Sequence, residues 1–176
     1  MTAKKLGISI MNYAPFETMQ SLQTLVYKSC LLLNAERWND FLGLCDPDVF
    51  RYRIENYSPE IRRNQCWADR DYKGMKAIFD LMPRHNTDHS QLTRQAIVYT
   101  VDYDETNRKA IVTSGLTVYK TQLDGTYSHI ESGQTRVYAV GIYEDRINFT
   151  KNQPWLAERT VRLDTRQLDI GTHKPF

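Results

Sequence analysis

Long hydrophobic runs are missing from this sequence of 176 residues, and so is any recognisable signal for export. No apolar stretch approaches the roughly 18 residues that a membrane-spanning helix needs. The first ten residues, MTAKKLGISI, lack the apolar core and the small-residue cleavage site of a secretion signal. These absences predict a cytoplasmic protein without a membrane span.

A strong charge of one sign is also missing. Lys and Arg number 23 and Asp and Glu number 21, which gives a formal net charge of +2. A dedicated nucleic-acid binder needs a concentrated basic patch, and no run of five basic residues occurs here. We therefore expect no nucleic-acid partner.

Cysteine is scarce and unpaired. Cys30, Cys45 and Cys66 are widely spaced and form no C-x-x-C motif, which is typical of free thiols in a reducing compartment. The glycine-rich signatures of dinucleotide and P-loop sites do not occur, nor does the G-x-S-x-G elbow of hydrolases. The paired Cys and His motifs of a Rieske cluster are missing as well, so this chain alone should hold no such cluster.

What is present begins with two helical patterns. After Pro15, which suits the first turn of a helix, apolar residues recur at steps of three and four as far as Leu33. Asn34 is placed to cap a second helix, in which Trp38 belongs to the buried stripe. Asp46-Pro47 should end that helix, and a short strand, VFRYRIENY, follows.

A polar stretch and a third helix come next. Residues 57–70 contain a proline and show no period, which predicts an irregular surface loop. Asp71 then caps a helix that reads YKGMKAIFDLM. Pro83 should end this helix, which would leave His85 and His89 beyond it.

From residue 91 onwards the apolar period changes to two, as in β-strands. In QAIVYTVDYDE the pattern puts four residues on one face: Ile97, Tyr99, Val101 and Tyr103. In KAIVTSGLTVYKTQ five residues share a face: Ala110, Val112, Ser114, Leu116 and Val118. Asp124-Gly125 is a hairpin signal, and the strand after it is apolar on both faces, which places it in the middle of a sheet. A last strand reads PWLAERTVRLDT, with Ala157, Val161 and Leu163 on one face.

Helices first and long antiparallel strands afterwards predict an α+β fold. We expect a cone-like curved antiparallel β-sheet with about three N-terminal helices packed on one face. Residues 1–14 should form an N-terminal arm, and residues 15–176 a single cone domain.

Two histidines in MPRHNTDHSQ, residues 82–91, raise the question of a metal site. On a helix, His85 and His89 would share one face, with Asp88 between them, and this spacing can hold a metal. In an extended segment the same two residues stand about 13 Å apart, too far for one ion without a tight turn. Metal binding, acid–base catalysis and structural contacts are all open, and we favour a structural or interface role.

Arginine and aromatic residues gather in the stretch 51–70. One interpretation is a solvated surface. The other is a subunit interface, because arginine forks bind carboxylates, and arginine with aromatic residues dominates binding hot spots. We predict an interface formed by eight residues: Arg51, Arg53, Arg62, Arg63, Trp67, Arg70, His85 and His89.

Four stretches of the chain resemble motifs of one protein family. Residues 27–45 are similar to the helix pair E-x-x-L-L-D-x-x-x-[FW]-x-x-W-L-x-L, and residues 46–52 to x-D-V-x-Y. Residues 88–94 resemble the polar S-R-x-x-H segment that opens a strand, and residues 156–164 resemble W-R-I-A-x-R-x-V-x-L-D. In order and spacing, the chain resembles the small (β) subunit of Rieske non-haem iron ring-hydroxylating oxygenases.

The resemblance implies a cone-shaped fold of the nuclear transport factor 2-like type and an α3β3 hexamer with a trimeric base of β subunits. Its partner would be a Rieske-type large (α) subunit, which carries the [2Fe-2S] cluster and the mononuclear Fe(II) and on which ferredoxin and reductase act. No cofactor and no catalytic residue would lie on this chain. It would be a non-catalytic structural subunit that supports O2-dependent hydroxylation of an aromatic or small sulfonated substrate on the α subunit, by a monooxygenase or dioxygenase.

A different class of function uses the same fold. Isomerases and dehydratases of this type place His, Asp and Tyr inside the cone as general acids and bases. Here Tyr52, His85, Asp88 and His89 could point inward in that way. A stand-alone binding module of the same fold is a third possibility.

Overall fold

The structure is a computed structural model, and it describes four stretches of the chain: residues 14–85, 88–123, 128–168 and 174–176. The predicted N-terminal arm lies almost wholly outside the described residues, and so does the predicted Asp124-Gly125 turn. Within the described stretches, no helix is long and apolar enough to cross a membrane.

Four helices are found in these stretches: α1 (Phe16–Asn34), α2 (Trp38–Leu42), α3 (Tyr72–His85) and α4 (Ser128–Glu131). Helix α1 begins after Pro15, as predicted, and its apolar stripe from Leu22 to Leu33 is buried. The prediction that Asn34 caps α2 is wrong, because Arg37 precedes that helix. The Asn34 amide instead bonds to the backbone of Arg94, donating to its carbonyl over 3.1 Å and accepting from its N–H over 2.7 Å.

Helix α3 starts as predicted and ends later than predicted. The Asp71 carboxylate accepts a hydrogen bond of 2.7 Å from the N–H of Gly74, which is the geometry of a helix cap. The helix then runs through Pro83 to His85, so the prediction that Pro83 ends it is wrong. A proline in the last turn removes only one backbone hydrogen bond, and its fixed φ angle is already helical.

Six strands form one sheet: β1 (Arg51–Ser58), β2 (Arg63–Asp71), β3 (Gln91–Asp104), β4 (Lys109–Thr121), β5 (Thr135–Thr150) and β6 (Gln153–Leu163). Their order is β2-β1-β6-β5-β4-β3, so β5 lies inside the sheet, as predicted. Neighbouring strands are antiparallel except β1 and β6, which are parallel, so the sheet is mixed rather than purely antiparallel. Four ladders contain a register shift, and such bulges bend and twist a sheet. The α+β fold with a curved sheet is confirmed.

Strand β2 corrects the prediction of an irregular loop over residues 57–70. The chain makes a hairpin there, with Arg62 at φ 52° in the turn, and β2 pairs only with β1. Most of this edge strand is exposed. An edge strand with little buried surface needs no alternation of apolar residues, so the sequence carries no strand period.

A bulge at Tyr99 corrects the predicted face of β3. The β3–β4 register shifts between Val98 and Thr100, and one extra residue turns the following side chains to the other face. Ile97 and Tyr99 are therefore 65% and 64% exposed, whereas Val101 and Tyr103 pack against the core. The Tyr99 hydroxyl lies over Gly115, where a Cβ atom would collide with it.

Helices α1, α2 and α3 cover the concave face of the sheet. Trp38 of α2 stacks on Phe79 of α3 with 5.2 Å between ring centroids, and Phe41 meets the edge of the same ring at 6.2 Å. The predicted inward face of β4 is confirmed, because its five residues from Ala110 to Val118 are all buried. On β6 the prediction is partly wrong: Val161 and Leu163 are buried, but Leu156 and Arg159 are buried with them instead of Ala157.

Candidate functional site

The interior of the cone is polar as well as closed. Five large side chains from four strands point into it and are at most 2% exposed. We call them the interior cluster: Tyr52 on β1, Arg94 on β3, Tyr143 and Asp145 on β5, and Arg159 on β6. Buried groups of this kind need partners, because an unpaired buried charge costs several kcal/mol.

An ion pair between Asp145 and Arg159 lies at the centre of this cluster. The two residues face each other in the β5–β6 ladder. Nε of Arg159 donates to one carboxylate oxygen over 2.8 Å and Nη2 to the other over 2.7 Å, and both side chains are 0% exposed. The guanidinium also lies 4.0 Å from the Tyr143 ring centroid. Burial lowers the pKa of Arg159, but the Asp145 carboxylate outweighs burial and holds that pKa above its usual value.

Residues 174–176 insert beside this pair. The Tyr52 hydroxyl accepts a hydrogen bond of 2.9 Å from the Phe176 N–H and donates one of 3.2 Å to the Phe176 carbonyl. Nε of Arg94 donates to the Pro175 carbonyl over 3.0 Å, and the Phe176 ring stacks on Tyr138 with 6.0 Å between centroids. Burial raises the pKa of Tyr52 to about 12, so its phenol stays protonated at neutral pH.

Among the described residues, the groups proposed for the acid–base pocket of the alternative function are engaged in other contacts or exposed. Tyr52 is engaged by Phe176, and Asp88 forms an ion pair of 2.6 Å with the buried Lys120. Burial raises the pKa of Asp88, but the Lys120 ammonium and the hydrogen bonds of Ser90 lower it below its usual value. His89 is exposed, so its imidazole is at the surface. The side chain of His85 lies outside the described residues.

Metal-binding groups do not gather in the parts of the chain that the structure describes. No set of three or more His, Cys, Asp and Glu side chains there could hold an ion. Cys30 and Cys45 are buried among apolar residues, and Cys66 is exposed on β2. Among the described residues, these donors fit neither an iron–sulfur cluster nor a mononuclear iron.

The predicted interface residues fall into two groups. Six of them lie on the β1–β2 hairpin, and His89 lies just before β3, the strand at the opposite edge of the sheet. On the outer face of β1, Arg51 bonds to Asp69 at 2.5 and 2.6 Å and Arg53 bonds to Glu158 at 3.3 Å. The forks that we expected to bind a partner are therefore engaged within this chain.

Of the predicted interface arginines that remain available, two lie at the hairpin turn and one, Arg70, lies near the end of β2. Arg62 and Arg63 are exposed, and among the described residues neither has an ion pair. Trp67 is 38% exposed and lines, with Arg70, a cavity of about 250 Å³ that opens beside residues 174–176.

An apolar surface on the outside of the sheet was not predicted from the sequence. It consists of exposed side chains on β3, β4 and β5: Ile97, Tyr99, Ile111, Val137 and Val140. We call this surface the apolar outer face. Exposed apolar residues that share one face of a sheet can form an interaction surface. The sequence signal that could have revealed it is the apolar character of both faces of β5, which we had attributed to burial alone.

Comparisons with known proteins identify two related β subunits. No protein-family model matches the chain. Methanesulfonate monooxygenase hydroxylase subunit beta from Methylosulfonomonas methylovora is 35% identical over 176 residues, which is 100% of this chain and 97% of that protein. The beta subunit of 2-aminobenzenesulfonate 2,3-dioxygenase from an Alcaligenes species is 28% identical over 156 residues, which is 89% of this chain and 97% of that one.

A solved structure agrees with the fold. A chain of naphthalene 1,2-dioxygenase, determined with indole bound in the active site, superposes with a TM-score of 0.68. The superposition covers 93% of this chain and 86% of that chain at 15% identity. At so low an identity, the likeness concerns the fold alone.

The buried ion pair gives the first testable prediction. Arg159→Met should lower the free energy of unfolding by about 3–5 kcal/mol, because it leaves the Asp145 carboxylate buried without a partner. The double variant Asp145→Leu with Arg159→Met should come close to wild type, because it removes both charges. Urea unfolding followed by circular dichroism measures the difference. Equal losses in the single and double variants would contradict this account.

The cysteines give the second prediction. In the native protein, one thiol per chain should react quickly with Ellman's reagent, because only Cys66 is exposed. Burial raises the pKa of Cys30 and Cys45, which keeps these thiols protonated and unreactive. In denaturant all three should react, and Cys66→Ser should abolish the fast native reaction. A second fast thiol in the native protein would contradict the burial of the other two.

Proposed function

The chain belongs to the family of small (β) subunits of Rieske-type ring-hydroxylating oxygenases, and from this we propose that it is the structural, non-catalytic β subunit of a hydroxylase component. The observation that carries the proposal is the 35% identity to a hydroxylase β subunit over the full length of the chain. The closed interior supports it, because the Asp145 carboxylate and the Tyr52 hydroxyl are both engaged inside the protein.

The partner that we propose is a large α subunit. The Rieske [2Fe-2S] cluster and the mononuclear Fe(II) would reside there, and ferredoxin and reductase would act there. The scattered Cys and His residues of this chain support the assignment of these groups to the partner. What this chain contributes is a rigid body, held together by its buried ion pair, on which the catalytic subunit is positioned.

For the reaction, we propose O2-dependent hydroxylation of a small organic sulfonate on the α subunit. The names of both relatives contain a sulfonate, methanesulfonate in one and 2-aminobenzenesulfonate in the other. The first relative has the higher identity and the wider coverage. That difference favours a small alkanesulfonate and a monooxygenase outcome over an aromatic substrate and a dioxygenase outcome.

For the assembly, we propose an α3β3 hexamer with two contact surfaces on each β subunit. The first is the hairpin turn, where the exposed guanidinium groups of Arg62 and Arg63 are free to bind carboxylates of a neighbouring subunit. The second is the apolar outer face, whose exposed side chains would be covered by a partner. Arg51 and Arg53 then have a supporting role, because the Arg51–Asp69 pair joins β1 to β2 and the Arg53–Glu158 pair holds the hairpin against β6.

The isomerase or dehydratase alternative has less support. Its candidate residues are not combined in an open pocket, since Tyr52 is bound to Phe176 and Asp88 to Lys120. Both curated relatives are also β subunits of oxygenases.

Iron content tests the location of the metal. In the complex co-expressed with its α subunit, His85→Ala together with His89→Ala should leave the iron per hexamer unchanged, as measured by plasma emission spectrometry. The β subunit expressed alone should be colourless and contain no iron. A loss of mononuclear iron in a double variant that still assembles would show that these histidines are ligands.

Charge reversal tests the hairpin turn. Arg62→Glu with Arg63→Glu should shift the complex from hexamer to smaller species in sedimentation velocity, because like charges at an interface cost several kcal/mol. Lys28→Glu with Lys151→Glu is a matched control, since it changes the net charge equally at two exposed positions elsewhere. An unchanged hexamer in the first variant, or an equal shift in the control, would overturn the proposed contact.

A further inference from the structure

We propose that the interior of the cone contains a binding site for an N-acylated aromatic amino acid, and that Pro175 and Phe176 of the chain itself occupy this site. This site is separate from the proposed subunit role and does not depend on it. We call the occupying residues, Lys174 to Phe176, the inserted segment. They belong to no helix or strand.

The ring of Phe176 has a specific receptor. It is 3% exposed and lies nearly parallel to the Tyr138 ring, with an interplanar angle of 18°. The Lys120 ammonium lies over that same Tyr138 ring, 5.4 Å from its centroid. The aromatic end of the site is therefore a tyrosine face next to a buried cation, and stacking of this kind adds to the burial of a ring.

The backbone of the inserted segment is also recognised atom by atom. The Pro175 carbonyl accepts from both Nε and Nη2 of Arg94. The Phe176 N–H donates to the Tyr52 hydroxyl, which in turn donates to the Phe176 carbonyl. An N-acyl aromatic amino acid presents the same groups in the same order: an acyl oxygen, an amide N–H, a carbonyl and an aromatic side chain.

The receptor is held in place by residues outside the inserted segment. Nη1 of Arg94 donates to the Leu92 carbonyl over 3.1 Å and to Oδ1 of Asn34 over 3.2 Å. Arg94 therefore keeps contacts with β3 and α1 when Pro175 leaves. Tyr52 lies in the middle of a strand that pairs on both sides. A site that is preorganised by its own scaffold spends little free energy on ordering itself when a ligand binds.

There is also room for an acyl group larger than proline. The cavity of about 250 Å³ has Pro175 and Phe176 in its wall, and the rest of its lining is largely apolar: Tyr52, Ile54, Trp67, Met75, Ile78 and Phe79. A dry cavity of about 150 Å³ already takes a benzene molecule. The half-exposed Trp67 and the exposed Arg70 at its rim lie between this space and solvent.

Tethering explains why a free ligand would not compete well in the intact chain. Lys174 anchors the segment, with Nζ donating to Glu36 over 2.6 Å and to the Ser90 carbonyl over 2.9 Å. A segment joined to its own site acts at an effective concentration in the millimolar range. Removing the segment should therefore expose the site to ligands in solution.

The test uses the full chain without residues 174–176, with N-acetyl-L-phenylalaninamide as the probe. Isothermal titration calorimetry should show binding with one site per chain, and the probe should raise the melting temperature. N-acetyl-L-leucinamide and the D-enantiomer should bind about tenfold more weakly, because they lose the stacked ring or its placement. Adding Tyr52→Phe should weaken binding about ten- to a hundredfold, because it removes both hydrogen bonds that the hydroxyl makes. The intact chain should bind far more weakly than the shortened chain.

A second variant decides the matter if the shortened chain does not fold. Phe176→Ala keeps the backbone contacts and removes only the ring, so benzene should raise its melting temperature by more than it raises that of the wild type. Phe16→Ala, which removes a ring that is 80% exposed, is the matched control and should respond only as much as the wild type does. A folded shortened chain that does not bind the probe at about 10 mM would overturn the proposal, because this concentration is tenfold above the effective concentration of the tethered segment. So would a Phe176→Ala protein that is insensitive to benzene, or binding of equal strength by both enantiomers.

Discussion

The buried ion pair between Asp145 and Arg159 is the constraint on which the rest of the structure depends. Two charges that are 0% exposed must remain together, because each alone would cost several kcal/mol in the interior. Their contact fixes β5 against β6 across the middle of the sheet. It also sets the position of the Tyr143 ring under the guanidinium and leaves Tyr52, opposite Arg159 on β1, facing the same interior.

An interior that is filled by the chain's own side chains leaves the outer surface for contacts with a partner. Because side chains alternate along a strand, the β6 segment that buries Arg159 turns Glu158 outward, where it pairs with Arg53 at 3.3 Å. The outer face therefore carries ion pairs on β2, β1, β6 and part of β5, and the apolar outer face on β3, β4 and β5. A subunit that positions a catalytic partner needs such surfaces, and it needs no catalytic groups of its own.

Much of the fold and the family could be predicted from the sequence, and each wrong or missing prediction has a physical cause. Helix α1, the Asp71 cap and the strand period after residue 91 follow from apolar spacing, and the family follows from the order of four motifs. The bulge at Tyr99 could not be predicted, since a single extra residue reverses a face without changing composition. Strand β2 was missed because an exposed edge strand has no apolar alternation. Asp145 and Arg159 were missed because, in a sequence, charged residues are expected at the surface.

The sequence alone could not show which of the predicted interface arginines pair within the chain, and the reason is physical. A guanidinium that binds a carboxylate in its own chain has the same chemistry as one that binds a neighbouring chain. Composition therefore grouped Arg51 and Arg53 with Arg62 and Arg63. Only the strand register separates them, because it places Asp69 opposite Arg53 and Glu158 opposite Arg51 on the adjoining strands. Arg62 lies in the turn and Arg63 lies opposite Ser58 instead of a carboxylate, so the proposed contact with a partner rests on these two residues.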